Sequence, residues 1–67
     1  MKQTIKGIRV NLGLSTKEFA EKLRITEDVL YNYENGRTVP DVVFADKLIE
    51  LSGLRYEDII FLPKKYD

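Results

Sequence analysis

Neither cysteine nor histidine occurs in the 67 residues. Their absence excludes a disulfide framework and the usual zinc sites. No apolar run approaches the roughly 20 residues that a membrane span needs. The opening MKQTIKGIRV also lacks the continuous apolar core of a signal peptide. Net charge is missing too, with 11 Lys plus Arg against 11 Asp plus Glu. Domains that bind nucleic acid are usually basic, so this balance argues against that class. A chain this short buries only about 60% of its unfolded surface. Its core must suffice alone or be shared with a second subunit. The expectation is one soluble cytoplasmic domain spanning 1–67, with no metal, cofactor or small-molecule ligand.

What is present is unevenly arranged. Residues 1–40 hold seven basic and five acidic side chains, a balance of +2, and residues 41–67 hold four and six, a balance of −2. The stretch Ser15 to Gly36, STKEFAEKLRITEDVLYNYENG, contains two short helical patterns, each with its own start signal. Ser15 with Glu18 forms a capping box, in which two side chains satisfy helix N-terminal donors reciprocally. Thr26 is a second good N-cap, and Asn35-Gly36 is a strong breaker. Two helices, about 16–23 and 27–34, joined around Arg24-Ile25-Thr26, have the geometry of a helix-turn-helix. The first buries Phe19, Ala20 and Leu23, with Ile25 pinning the turn. The second points Leu30 and Tyr33 inward and leaves Glu27, Asp28, Tyr31 and Asn32 on the opposite face, as i,i+4 pairs.

A helix over 4–12 precedes them, capped by Thr4, with Ile5, Ile8 and Leu12 on one face and Gly13 at its left-handed end. Gly7 in its interior costs about 1 kcal/mol relative to Ala, which only close packing would explain. After the loop Gly36 to Pro40, Asp41 caps a fourth helix over about 42–52. Its stripe is Val42, Ala45, Leu48 and Ile49, and Ser52-Gly53 ends it. A fifth helix is expected over about 56–61. The tail 61–67 cannot stay helical past Pro63 and is expected to be extended. The domain core is thus 4–60. Ile59, Ile60, Phe61 and Leu62 cannot all point inward from one short helix. With Phe44 and Leu51 they suggest an exposed patch, hence a homodimer interface.

Ile5-Lys6-x-Ile8-Arg9, Gly13-Leu14-Ser15, Glu18-x-Ala20-x-x-Leu23, Ile25-Thr26, Leu30, Tyr33 and Glu34-Asn35-Gly36-x-x-x-Pro40 together form a pattern. In it the chain resembles the lambda-repressor-like, Xre/Cro-type DNA-binding domains over roughly residues 4–60. The resemblance implies an all-α, five-helix bundle whose helix 2 crosses the DNA backbone and whose helix 3 enters the major groove. It implies an ion pair between Arg9 and Glu34 and a phosphate contact at Asn35. Thr26, Glu27, Asp28, Tyr31 and Asn32 match positions that face bases or flanking phosphates. Three positions depart from the family. Its Gln at the start of helix 2 is Thr16, which can still donate to a phosphate. Its turn Gly is Arg24, so the turn is either strained or shaped differently. Glu27 and Asp28 replace neutral or basic residues.

Of these, Asn32 suits a bidentate pair with adenine, and an acid at 27 or 28 can accept from cytosine N4. The same two acids could instead only stabilise the helix N-terminus. Tyr31 suits a thymine methyl or a phosphate, or else packs over cationic stems. Lys6, Lys17 and Arg37 are candidate phosphate anchors. The function expected is sequence-specific double-stranded DNA binding by a small regulator, a dimeric repressor on a pseudo-palindromic operator like those of phages and mobile elements. The alternative is the same fold used as a protein-interaction module, antirepressor-like or antitoxin-like. Catalysis is not expected: the carboxylate pairs Glu27-Asp28 and Glu57-Asp58 sit on helix surfaces, with no cleft to raise a pKa.

Overall fold

Helices form where a capping side chain precedes an apolar stripe. The computed structural model describes residues 2–62. Within them β1 (Gln3–Thr4) leads into α1 (Ile5–Asn11), followed by α2 (Thr16–Leu23), α3 (Glu27–Glu34) and α4 (Val42–Ser52). A single 3-10 turn over Tyr56–Asp58 then leads to β2 (Ile59–Ile60). Each helix begins at the expected cap. Thr4 Oγ1 accepts from Gly7 N–H at 3.0 Å, Thr26 Oγ1 from Val29 N–H at 3.2 Å, and Asp41 Oδ1 from Phe44 N–H at 2.8 Å. At α2 the box is complete, with Glu18 N–H donating to Ser15 Oγ at 3.1 Å and Ser15 N–H to Glu18 Oε1 at 2.9 Å.

The ends of α1, α2 and α3 share one construction. Leu14, Ile25 and Arg37 donate their N–H five residues back, to Arg9, Ala20 and Asn32, and the residue before each donates three back. This is the Schellman motif, which needs a left-handed residue at its corner. That corner is Gly13 in α1, Gly36 in α3 and Arg24 in α2, with Arg24 at φ 60°. Leu14 and Ile25, next in the chain, pack against the core and hold the motif shut. Gly7 has a specific reason to lack a side chain. A Cβ there would stand 3.1 Å from the Thr4 hydroxyl oxygen that caps its own helix.

Ile5, Ile8, Phe19, Ala20, Leu23, Leu30, Phe44, Leu48 and Ile59 form the core. It draws on every helix and on β2. Arg9 straps α1 to the end of α3. Its Nε donates to Glu34 Oε2 at 2.9 Å and its Nη1 to the Leu14 carbonyl at 3.4 Å, with side chains 14% and 8% exposed. Both are largely out of water, so losing one partner would strand the other and cost more than a surface pair would.

Three expectations are corrected. Residues 56–61 do not form a fifth helix. After one 3-10 turn, held by Asp58 N–H to the Arg55 carbonyl at 2.9 Å, Ile59 and Ile60 extend and pair in parallel with Gln3 and Thr4. Adjacent β-branched residues favour this: the strand buries Ile59 and leaves Ile60 half-covered. The stripe of α4 is also rotated. Phe44 and Leu48 are its buried residues, Ala45 and Ile49 are half-buried, and Val42 is exposed. An edge-on contact with Tyr33, centroids 4.6 Å apart, fixes Phe44 inward. It follows that the patch expected from Phe44, Leu51 and residues 59–62 does not exist as one surface. Phe44 and Ile59 are core; Leu51 and Phe61 pack against it, Ile60 is half-buried, and Leu62 is exposed. The tail beyond Leu62 lies outside the described residues.

Candidate nucleic-acid interface

The outward face of α3 is built by what its inward face must do. Leu30 is fully buried and Tyr33 meets Phe44, so residues a third of a turn away point to solvent. Glu27, Asp28 and Tyr31 are exposed there, and Asn32 is half-covered beside them. The N-terminus of α2 lies alongside. Thr16, Glu27, Asp28, Tyr31 and Glu34 line a shallow notch of about 230 Å³ between the two helices.

Within the notch two pairs limit side-chain freedom. Thr16 Oγ1 donates to Glu27 Oε1 at 3.3 Å, joining the first residues of α2 and α3. Arg37, in the loop after α3, lays its guanidinium over the Tyr31 ring, 5.7 Å from the centroid. Such a stack is worth about 0.5–1 kcal/mol at an exposed site. Here it holds a cation beside the helix face. The sequence offered Thr16 and Arg37 as phosphate contacts, and the structure gives each a partner on α3 as well. The sequence allowed Tyr31 to pack over a cationic stem without naming Arg37, whereas the Thr16–Glu27 pair joins residues on separate helices and left no local pattern.

Two other candidates are occupied by helix ends. Thr26 Oγ1 accepts from Val29, which leaves its hydroxyl proton free to donate. Asn35 Nδ2 donates to the Tyr31 carbonyl at 2.8 Å, closing α3, and its amide oxygen remains as an acceptor. The backbone N–H groups of Asn35, Gly36 and Arg37 are taken as well, by the carbonyls of Tyr31, Tyr33 and Asn32, so a phosphate contact here requires one of these bonds to open. Glu34 lines the notch but its charge is spent on Arg9. Lys17 is exposed on the first turn of α2, where backbone N–H groups without intrahelical partners favour an anion. Lys6 is not brought to this face. It lines a separate shallow groove on α1 with Lys2, Gln3 and Val10.

Charge on this surface is balanced. Lys17 and Arg37 are matched by Glu27 and Asp28, all four exposed. Among the described residues the carboxyl held below its ordinary range is that of Glu18, chiefly by its hydrogen bond from the Ser15 backbone N–H. That is a capping effect at the edge of the face, not a site for acid–base chemistry.

Two short helices crossing through a tight turn, with the first N-terminus and the second outer face side by side, define a helix-turn-helix protein. The chain belongs to the helix-turn-helix domain family, whose profile matches residues 3–63. Among curated proteins it is similar to an uncharacterized HTH-type transcriptional regulator of Methanothermobacter thermautotrophicus. The two are 29% identical over 62 residues, covering 92% of this chain and 90% of the relative. No solved structure matches the chain. No helix among the described residues is long and apolar enough to cross a membrane.

Proposed function

We propose that the chain is a transcriptional regulator of the cytoplasm that binds double-stranded DNA through α3 and does no chemistry on it. The observation that carries this reading is the junction of α2 and α3. Thr16, Lys17, Glu27, Tyr31, Asn32 and Arg37 offer donors, acceptors and an aromatic ring together, while the opposite faces are core. Membership in the family and the relative's name support it. With α3 in the major groove, Asn32 pairs with adenine N6 and N7, worth about 1–3 kcal/mol of discrimination. Glu27, steadied by Thr16, accepts from the amino group of cytosine. Lys17, Arg37 and the first N–H groups of α2 hold phosphates on either side and set the register. The regulator acts as a repressor, as a homodimer whose two copies occupy half-sites about one helical turn, roughly 34 Å, apart on a pseudo-palindrome.

Selection from random duplexes tests this directly. Enrichment of a two-fold motif is the expected result. Asn32→Ala should then lose preference at one base pair per half-site while keeping its affinity for unrelated DNA. If that variant weakened operator and random DNA alike, Asn32 would be a backbone contact and not a reader. One observation favours a second reading: the exposed carboxylates of Glu27 and Asp28 cancel the cations of the face. In that reading α3 takes a basic protein partner. Failure of the native chain to bind any duplex at low salt would select it.

A further inference from the structure

Away from α3, two features of opposite charge flank the small sheet. The first is a groove of about 340 Å³ between the loop before α4 and the C-terminal turn. Its apolar walls include Val39, Val42, Tyr56 and Phe61, the first three exposed by 73%, 75% and 66%. Among the described residues that line it, the formal charges are those of Asp41 and Asp46. Side chains this apolar and this open mark a surface that gains from being covered. The second feature is the outer ridge of α1. Lys6 and Val10 are i,i+4 neighbours, Val10 is 60% exposed, and Gly7 leaves the flank between them bare. Lys2 stands beside them, and no acidic residue precedes Glu18 in the chain.

We propose that a second copy of this chain fills the groove with the Lys6–Val10 ridge of its α1. Charge decides between the arrangements. Two copies meeting groove to groove would press Asp41 and Asp46 against the same carboxylates, which like-charge repulsion opposes. Ridge into groove brings Lys6 and Lys2 to those carboxylates and Val10 to the apolar walls. The sheet makes this contact reciprocal. Gln3 and Thr4 of β1 border the ridge, and Phe61, next after β2, borders the groove. A two-fold axis passing beside the paired strands lets each copy insert its ridge and receive the other's. Such an interface is isologous: residue i meets j and j meets i. The docking is a helix laid in a groove, with the apolar residue as anchor and the lysines as register. It rests on the homodimer part of the proposed function and not on DNA binding.

Sedimentation equilibrium of the full chain without DNA tests it, using Lys6→Glu, Asp46→Lys, their 1:1 mixture and the double variant. Both positions are exposed and neither caps a helix, so helical content and melting should stay native. The native chain should stop at dimers. Each single variant should weaken dimerisation by at least about tenfold. The mixture should recover it, because each heterodimer joins Glu at 6 to Lys at 46 on one side and Lys6 to Asp46 on the other. The double variant should recover it alone. A native chain that stays monomeric, single variants that dimerise as before, or a mixture that fails to recover would each overturn the proposal. Duplex binding by the native chain at low salt, measured separately, reports on the DNA reading: a chain that binds duplex but shows none of these dimer effects overturns this interface and leaves that reading standing.

Discussion

Arg24 is the residue most at odds with its backbone. At φ 60° it is the only non-glycine residue with positive φ among those described, and it stands where α1 and α3 use glycine. A left-handed L-residue costs about 1–2 kcal/mol. The corner persists because the bond from Ile25 N–H to Ala20 and the packing of Ile25 depend on it. Arg24→Gly should therefore stabilise the fold. Glycine's greater freedom when unfolded takes back about 0.4–1 kcal/mol, leaving a net gain of about 0.5–1 kcal/mol and a melting midpoint higher by a few degrees. Arg24→Ala keeps the strain and should gain nothing comparable. Thermal melts of the three proteins decide it, and a glycine variant that melts lower would mean the arginine side chain holds the turn in a way its geometry does not show. The sequence could pose this choice, strained turn or different turn, but not resolve it. Only the three-dimensional closure on Ala20 forces Arg24 left-handed.

At the scale of elements, what was legible was local. Four N-caps act over three residues, so spacing alone located the starts of α1 to α4. What escaped was non-local. A two-residue strand has no periodicity, and the partners Gln3 and Ile59 lie at opposite ends of the described chain. In α4 the sequence offers Val42 and Phe44 as equally apolar, and Tyr33 settles which turns inward. The site divides the same way: the α3 face was legible from i,i+4 spacing and a cation over Tyr31 was one of the readings offered, while the Thr16–Glu27 pair and the choice of Arg37 as that cation were not. Because the caps are local, their electrostatics can be isolated. The Glu18 carboxyl is held below its ordinary value by the Ser15 N–H. A depressed folded pKa contributes stability above the unfolded carboxylate value, and that contribution disappears as pH falls through the folded one. Glu18→Gln keeps an acceptor for Ser15 that does not titrate. The variant should be slightly less stable at neutral pH, where the charge favours the helix N-terminus. Its loss of melting midpoint between neutral pH and about pH 3 should be smaller than the native chain's. Equal losses would show that the box is indifferent to ionisation.

For the whole molecule the governing fact is zero net charge. A basic domain gathers DNA by its overall field; this one has no such field, so attraction must come from cations placed against phosphates. The surface supplies Lys17 and Arg37, with the carboxylates of Glu27 and Asp28 exposed on the same face. In the proposed dimer, two cations from each copy correspond to about four neutralised phosphates, hence a slope near −3.6 in a plot of log affinity against log salt. Affinity should then fall about a hundredfold between 50 and 200 mM salt. Lys17→Ala should reduce the slope by about 1 per copy, weakening operator and random duplexes equally and leaving sequence preference intact. Glu27→Gln provides the contrast. If its carboxylate reads cytosine, the slope stays and one base pair per half-site loses its preference. If it only repels, affinity rises on every duplex. Titrations of the three proteins against operator and scrambled duplexes at several salt concentrations separate these outcomes. A native slope near zero would sink the phosphate assignment, because no arrangement of Lys17 and Arg37 on the backbone could leave binding indifferent to salt.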